Sequence, residues 1–350
     1  MALTQVDQGL LGTYAQYTGF KNRIINGAMV IDQRNAGASV TINTDAKNYV
    51  MDRFWAFDNT EGVFTLQQVT DAPAGFINSA KATVTTADSS ITNDQYSGFS
   101  QLIEGLNCAD LAWGTASAST ITLSFWVKSS LTGTFGGSLR NNAADRSYPF
   151  TYTITSANTW EQKSITIAGD TSGTWLTTNG IGIRVQWSIA EGPNRVGTAG
   201  AWASANYAGA TGQTQIISTL NATWQITGVQ LEKGSTATSF DYRPYTTELQ
   251  LCQRYFEILG ATNNSLIFQT YAPSIVTGGE RVSLYYKAVK RTTPTATVVG
   301  TWIYSNGSGL SFGGVGVDCS RVEWTSSSSG VVTFVYNGNS GAYLSFSAEL

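Results

Sequence analysis

The sequence predicts an all-β protein. It reads as two β-sandwich, jelly-roll-like domains, with a short N-terminal segment ahead of them and a short helical linker between them. Three observations point there. Apolar and polar residues alternate with period two over long runs, which puts one face of each run in a core and the other toward solvent. Turn-forming clusters separate these runs at intervals of roughly 8–12 residues, the spacing of sandwiches and jelly rolls. The composition is that of a dry-cored, weakly charged chain, 42% hydrophobic, 12% aromatic and 12% charged. That charged share is about half the roughly 25% of ordinary soluble domains. At roughly 150 residues per domain, 350 residues suggest two domains.

Taken in order, residues 1–21 show no clear period, but Leu10, Leu11, Tyr14 and Tyr17 make them apolar enough to dock on something larger. From Asn22 onward the signals are those of strands. Ile121, Leu123, Phe125 and Val127 alternate with Thr122, Ser124, Trp126 and Lys128. Phe150, Tyr152 and Ile154 alternate with three threonines, and Ile181, Ile183, Val185, Trp187 and Ile189 with Gly182, Arg184, Gln186 and Ser188. Trp224 and Ile226 share one phase, Val229 and Leu231 the other, so a β-bulge is expected at Thr227–Gly228. Asn141–Asn142, Gly169–Asp170, Asn179–Gly180 and Gly209 to Gly212 supply turns.

A boundary is expected near Arg243–Pro244–Tyr245, dividing the body into domains 22–245 and 246–350. Proline sets an extended approach, and residues 246–257 then take helical spacing through Leu249, Cys252, Tyr255 and Phe256. Beyond it, Val282, Leu284, Tyr286 and Ala288 alternate with Ser283, Tyr285, Lys287 and Val289. Val332, Phe334 and Tyr336 mark another strand, and Leu344, Phe346 and Ala348 the last. Asn306–Gly307 and Asn337–Gly338 sit where hairpin turns are expected.

Composition excludes several classes of function. There is no histidine, so the usual general base of a hydrolase is missing. The net charge is −3 without a basic cluster, which argues against a nucleic-acid partner. No run approaches the ~20 apolar residues that insert across a bilayer. The first residues lack the basic and apolar regions of a secretory signal. Cys108, Cys252 and Cys319 fit no metal spacing or disulfide framework and read as reduced, buried thiols. No cofactor or metal ligand set is apparent.

Several strings carry a resemblance: NRIINGAMVIDQRNAGASV (22–40), YVMDRFWAF (49–57), FSQLIEGLNCADLAWGTASASTITLSFWVKSSLTGTFGGSLRN (99–141), YPFTYTITSANTWEQKSITIAGDTSGTW (148–175), WQITGVQLEKGS (224–235) and RPYTTELQLCQRYFE (243–257). In this order they resemble the jelly-roll structural proteins of tailed bacteriophages and prophages, tail fibres among them. The NGAM opening and the WQITGVQLE strand are also similar to carbohydrate-binding modules of jelly-roll type. The resemblance implies a non-enzymatic homotrimer, made in the host cytoplasm and carried on the tail of the virion. It implies that the N-terminus docks on phage tail or adaptor proteins, and that the C-terminal domain meets a host cell-surface receptor, a glycan. Residues 258–350 lie outside the matching strings, and in such proteins a divergent end selects the partner. A capsid decoration protein without a receptor role, or a glycan depolymerase, are the alternatives.

Candidate sites follow. Leu10, Leu11, Tyr14 and Tyr17 are the candidate virion anchor. Receptor contact is expected from loops around Asn263 and Asn264, Gly278–Gly279, Tyr304 to Gly309 with Asn306, Ser326 to Ser329, and Asn337 to Gly341 with Asn339, whose Ser/Gly/Asn-rich composition with a nearby aromatic suits adaptable binding loops. Trp126 falls on the polar face of its strand beside Lys128 and is a candidate glycan platform; Trp113, Trp175 and Trp202 sit in polar segments. The bland reading of all four is that they cover core edges or subunit contacts. Asn26, Asp32, Glu232 and Asp241 are candidate ligands for a calcium ion tying the termini of the jelly roll, without an EF-hand pattern. Gly309 to Gly313 match G-x-S-x-G, but in a Gly/Ser run expected between strands, with no histidine for Ser311. No acid pair has a spacing that ties it to one glycosidase site.

Overall fold

The computed structural model describes residues 21–260, 267–272, 280–327, 331–336 and 341–350. The candidate anchor residues Leu10, Leu11, Tyr14 and Tyr17, and the candidate receptor residues Asn263, Asn264, Asn337 and Asn339, lie outside them, as do Gly278 and Gly279. The chain divides into two compact units between Arg243 and Pro244.

In the first unit the strands are β1 (Val40–Ile42), β2 (Asn48–Met51), β3 (Phe54–Asp58), β4 (Val63–Val69), β5 (Ser79–Thr86), β6 (Tyr96–Glu104), β7 (Ile121–Ser129), β8 (Gly133–Arg140), β9 (Ser147–Ile154), β10 (Glu161–Ile167), β11 (Ile181–Glu191), β12 (Val196–Gly197), β13 (Gly209–Ala210) and β14 (Thr223–Lys233). They form two six-stranded sheets, ordered β1-β4-β5-β14-β7-β10 and β2-β3-β6-β11-β8-β9, plus the short pair β12-β13. Period-two alternation turns one row of each sheet inward, and the rows meet as a sandwich. Phe125 of the first sheet meets Trp187 and Tyr152 of the second edge-on, with ring centroids 5.6 and 5.1 Å apart. Trp224 meets Phe99 at 5.9 Å, and its indole N–H donates to the Tyr152 hydroxyl at 3.0 Å. Burying each such ring stabilises the fold by about 1.5–3 kcal/mol before the entropy of ordering it is counted. The bulge appears as expected: the β14–β7 register slips between Thr227 and Gln230, so that Trp224, Ile226, Val229 and Leu231 are all buried.

The NGAM string is a plug laid along β14, where the Val229 N–H donates to the Gly27 carbonyl. Asn26 takes a left-handed conformation (φ 62°), and its side-chain oxygen accepts from the N–H groups of Val30 and Ile31, both at 2.9 Å. Its amide donates to the carbonyls of Ile31 and Asp52. Gly27 follows because any Cβ there would strike the Val229 carbonyl. Gln101 clamps the backbone of Ile25 from both sides, at 2.9 and 2.8 Å.

The second unit opens with helix α1 (Tyr245–Gln253) behind Pro244, then continues as β15 (Phe256–Leu259), β16 (Ile267–Ala272), β17 (Glu280–Tyr285), β18 (Thr295–Val299), β19 (Ile303–Ser305), β20 (Gly307–Val315), β21 (Cys319–Ser326), β22 (Val331–Tyr336) and β23 (Tyr343–Ser347). Among the described residues these make three antiparallel three-stranded sheets, β15-β23-β18, β16-β22-β19 and β17-β21-β20. Their core gathers Phe268, Trp302, Val322, Trp324, Val335, Leu344 and Phe346. A fully buried ion pair, Lys290 Nζ to Glu257 Oε2 at 2.6 Å, belongs to this unit.

Four expectations are corrected. The helix stops at Gln253, so Phe256 begins a strand. The strand through Val282 and Leu284 ends at Tyr285, before Tyr286 and Ala288. Asn306–Gly307 is not a hairpin turn: β19 pairs with β22 and β20 with β21, so Asn306 (φ 55°) is a hinge where the chain leaves one sheet for another. Of the cysteines, Cys108 and Cys252 are buried, but Cys319 is half-exposed at a strand start.

Candidate functional site

The outer face of the first six-stranded sheet assembles a polar and aromatic surface around Trp126. Alternation in β7 turns Phe125 and Val127 into the core and leaves Trp126 and Lys128 facing out, both half-buried. Cross-strand register places Gln162 of β10 and Thr227 of β14 on either side of Trp126, and Gln225 beside Lys128. Such directly opposed pairs stand within contact distance on one face.

The loop after β4 then brings Asp71 over this face. Lys128 pairs with one oxygen of its carboxylate, Gln225 Nε2 donates to the same oxygen at 3.2 Å, and the Trp160 indole N–H donates to the other at 3.4 Å. The Lys128 ammonium also lies 5.1 Å from the centre of the Trp160 ring, a cation–π distance. The hydrogen bond from Lys128 holds the Asp71 carboxyl below its ordinary range, with Gln225 and Trp160 adding to it. Asp71 therefore stays ionised, half its side chain open to solvent.

Beyond the bulge the face turns aromatic. Gly228 (φ 62°) leaves room above its backbone: a Cβ there would lie 2.6 Å from Phe76 and 3.1 Å from Trp126. Phe76 in turn packs against Phe240 and Tyr242 at 5.1 and 5.6 Å, and exposed Tyr242 donates its hydroxyl to the Gly75 carbonyl. Beside β10, a hollow of about 400 Å³ is lined by Gln162, Lys163, Ser164, Ala237, Thr238 and Ser239. The surface thus offers flat rings edged by a carboxylate, an ammonium and carboxamides. These are the groups that stack on the CH faces and bond the hydroxyls of a sugar.

The other sequence-derived candidates fall elsewhere. Tyr304 is not a loop residue: it lies half-buried in β19, packs on the second core and accepts at its hydroxyl from the Leu310 N–H. The Asn306 carbonyl accepts from the Ser327 N–H. Ser326 is the buried last residue of β21, not part of a loop. Trp113, Trp175 and Trp202 meet edge-on at 4.7–5.4 Å, and each indole N–H is spent on a backbone carbonyl, so the three hold their loops together. Gly309 to Gly313 lie inside strand β20, where no strand-to-helix elbow exists. The calcium candidates are committed separately. Asn26 serves the plug, Asp32 caps the Asn35 and Gly37 N–H groups, Glu232 accepts from Gln230 and Thr238, and Asp241 accepts from Asn22. Among the described residues, no three His, Cys, Asp or Glu side chains gather as a metal site.

Asp71 and Trp160 were not read from the sequence as site residues. They reach Lys128 from 57 positions away and Asp71 from 89 positions away, respectively, and no period links them.

No protein-family model matches the chain, and no curated protein matches it. Solved structures with a similar backbone include the enzymatically active domain of tailspike protein 4 of bacteriophage CBA120, at 15% identity over 61% of this chain and TM-score 0.33. The chain spans 21% of that structure. A family 4 carbohydrate-binding module matches at 15% identity over 60% of this chain and 98% of its own, TM-score 0.29. The family 11 carbohydrate-binding module of Clostridium thermocellum matches at 12% over 57% and 98%, TM-score 0.28. No helix among the described residues is long and apolar enough to cross a membrane.

Proposed function

We propose that this protein is a non-enzymatic glycan-binding structural protein of a phage tail fibre, and that its sugar-contacting surface is the outer face of the first six-stranded sheet. One observation carries the reading. Trp126 and Trp160 stand on the same outward face as Asp71, Lys128 and Gln225, and these polar groups are tied to one another at a half-open carboxylate. A glycosidase needs an acid that can be protonated near neutral pH beside a second carboxylate. Asp71 is held ionised by Lys128, which suits recognition and not proton donation.

In this reading residues 1–21 anchor the chain to the tail, and three copies assemble on one axis, as a closed cyclic fibre does. Weak sugar contacts then add up by multivalency. The test has three arms. Incubation with host surface polysaccharide should deplete the protein from solution without creating new reducing ends. The solution mass should be three times the 37.4 kDa of the chain. A chain lacking residues 1–21 should keep binding polysaccharide but fail to join particles. New reducing ends would overturn the non-enzymatic reading, a monomer mass the trimer, and assembly of the truncated chain the anchor.

A further inference from the structure

In the second unit the sheet β17-β21-β20 turns a charged face outward. Alternation packs Val282 and Leu284 of β17 on the core and leaves Arg281, Ser283 and Tyr285 on the other side. Cross-strand register sets these three opposite Glu323, Arg321 and Cys319 of β21, and directly opposed residues share one face. Two guanidiniums meet there on one carboxylate. Arg321 Nε lies 2.6 Å and Arg281 Nε 3.2 Å from Glu323 Oε1. The carboxylate lies over the bare backbone of Gly313 in β20, where any Cβ would strike it. Arg321 Nη2 donates to the Gly313 carbonyl at 2.7 Å. A third strand thus helps hold the two arginines side by side.

The charges of this face do not balance, and they are open. Two arginines answer one glutamate. Among the described residues of this unit, the exposed charged side chains are Arg281, Lys287 and Arg321 against Asp318. The Arg281 and Arg321 side chains stay 57% and 46% exposed, so a solute reaches both. Exposed ion pairs of this kind add little to stability, and the fold alone does not account for a second arginine on the same oxygen. Tyr285 stands beside them, 73% exposed, and a ring that open contributes little to the core. It is the diagonal neighbour of Arg321, roughly 7–8 Å away along the sheet, and Ser283 directly opposite Arg321 adds a hydroxyl.

We propose that this face is a second saccharide site, selective for sugars that carry an anionic group, a carboxylate or a phosphate. The guanidiniums take the anion, because their planar fork of donors matches both groups. The Tyr285 ring stacks on the CH face of the same sugar, at a spacing one acidic pyranose can bridge. A nucleic-acid strand fits less well: Glu323 and Asp318 share the patch, and the chain carries a net charge of −3, so phosphates beyond the arginine pair meet repulsion. The site belongs to the other unit from the Trp126 face and does not depend on it.

The test is a calorimetric titration of the full chain with trigalacturonate and with mannose 6-phosphate, the two arms telling carboxylate from phosphate. At least one of them should bind saturably. Its affinity should fall about tenfold or more in Arg321→Gln, as loss of a charged hydrogen bond predicts, and about threefold or more in Tyr285→Ala, as loss of a stacked ring predicts. Lys47→Gln, which removes an exposed charge from the first unit, should leave it unchanged. Circular dichroism checks that each variant is folded, and Arg281→Gln stands in for Arg321→Gln if that chain is not. Lack of saturable binding by both acidic sugars, or affinity that survives loss of the arginine, overturns the proposal. So does inorganic phosphate that binds as tightly as the sugars and ignores Tyr285→Ala, which marks a bare ion site. Tighter, arginine-dependent binding of an oligothymidylate would assign the face to nucleic acid instead.

Discussion

The ammonium of Lys128 lies 5.1 Å from the ring centre of Trp160, and Asp71 holds both groups by accepting from each. The ring is thereby fixed as part of the sheet face, although it comes from the residue just before β10. Replacing Asp71 by Asn removes the charge that positions Lys128. Such exposed contacts are worth about 0.5–1 kcal/mol. Asp71→Asn should therefore weaken polysaccharide binding about two- to fivefold, while the thermal midpoint stays nearly unchanged. Calorimetric titration beside a thermal melt checks both halves.

Gly228 has a positive φ of 62° and sits under Phe76 and Trp126. A methyl group there strains the backbone and displaces a ring. Gly228→Ala should cost about 1–3 kcal/mol of stability and also weaken glycan binding, because Trp126 must move. A denaturant curve that overlays the wild type would contradict this account of the bulge.

Asp58 is fully buried at the end of β3. Burial pushes its carboxyl up to about 6, against hydrogen bonds from Thr60 and with added repulsion from Asp88, from an ordinary value of 3.8. The folded chain thus holds this proton more tightly than the unfolded one. Stability is unaffected by Asp58 below pH 3.8, falls as pH rises from 3.8 toward 6, and is lower by on the order of 2–3 kcal/mol above that window. Asp58→Asn carries no charge. It should match the wild type near pH 3 and exceed it near pH 7, as read from denaturant midpoints at the two pH values.

In the second unit, Lys290 is enclosed with Glu257, donates to the Gln253 carbonyl at 2.6 Å and lies over the Tyr286 ring. Removing one partner strands a buried charge. Lys290→Met alone should destabilise this unit by about 3–5 kcal/mol, and Lys290→Met combined with Glu257→Leu should recover much of the loss. Urea unfolding of the three chains tests the ordering.

Much of the first sandwich was legible because burial on one face writes itself as alternation. The runs through Phe125, Tyr152 and Trp187 are β7, β9 and β11, and the phase slip at Thr227–Gly228 is the bulge. Trp126 stood out for the same reason, as a large ring on the polar side of its strand. Asp71 and Trp160 left no such mark, since a loop residue and a pre-strand residue meet Lys128 only after folding. The second unit read less well. Gly and Ser fill its β20, so a strand looked like a loop, and Asn306–Gly307 has hairpin chemistry but serves a crossing between sheets. Asn26 belonged to a recognisable string, yet its buried four-bond role depends on Asp52 and the 30–31 backbone.

The most direct test of the glycan-binding face is the affinity of the intact protein for host surface polysaccharide, compared with Trp126→Ala and Trp160→Ala. Loss of a stacking ring worth roughly 1–1.5 kcal/mol predicts about a tenfold weaker dissociation constant for each variant, with unchanged circular dichroism and thermal midpoint. Wild-type affinity in both folded variants would contradict the assignment of sugar binding to this sheet.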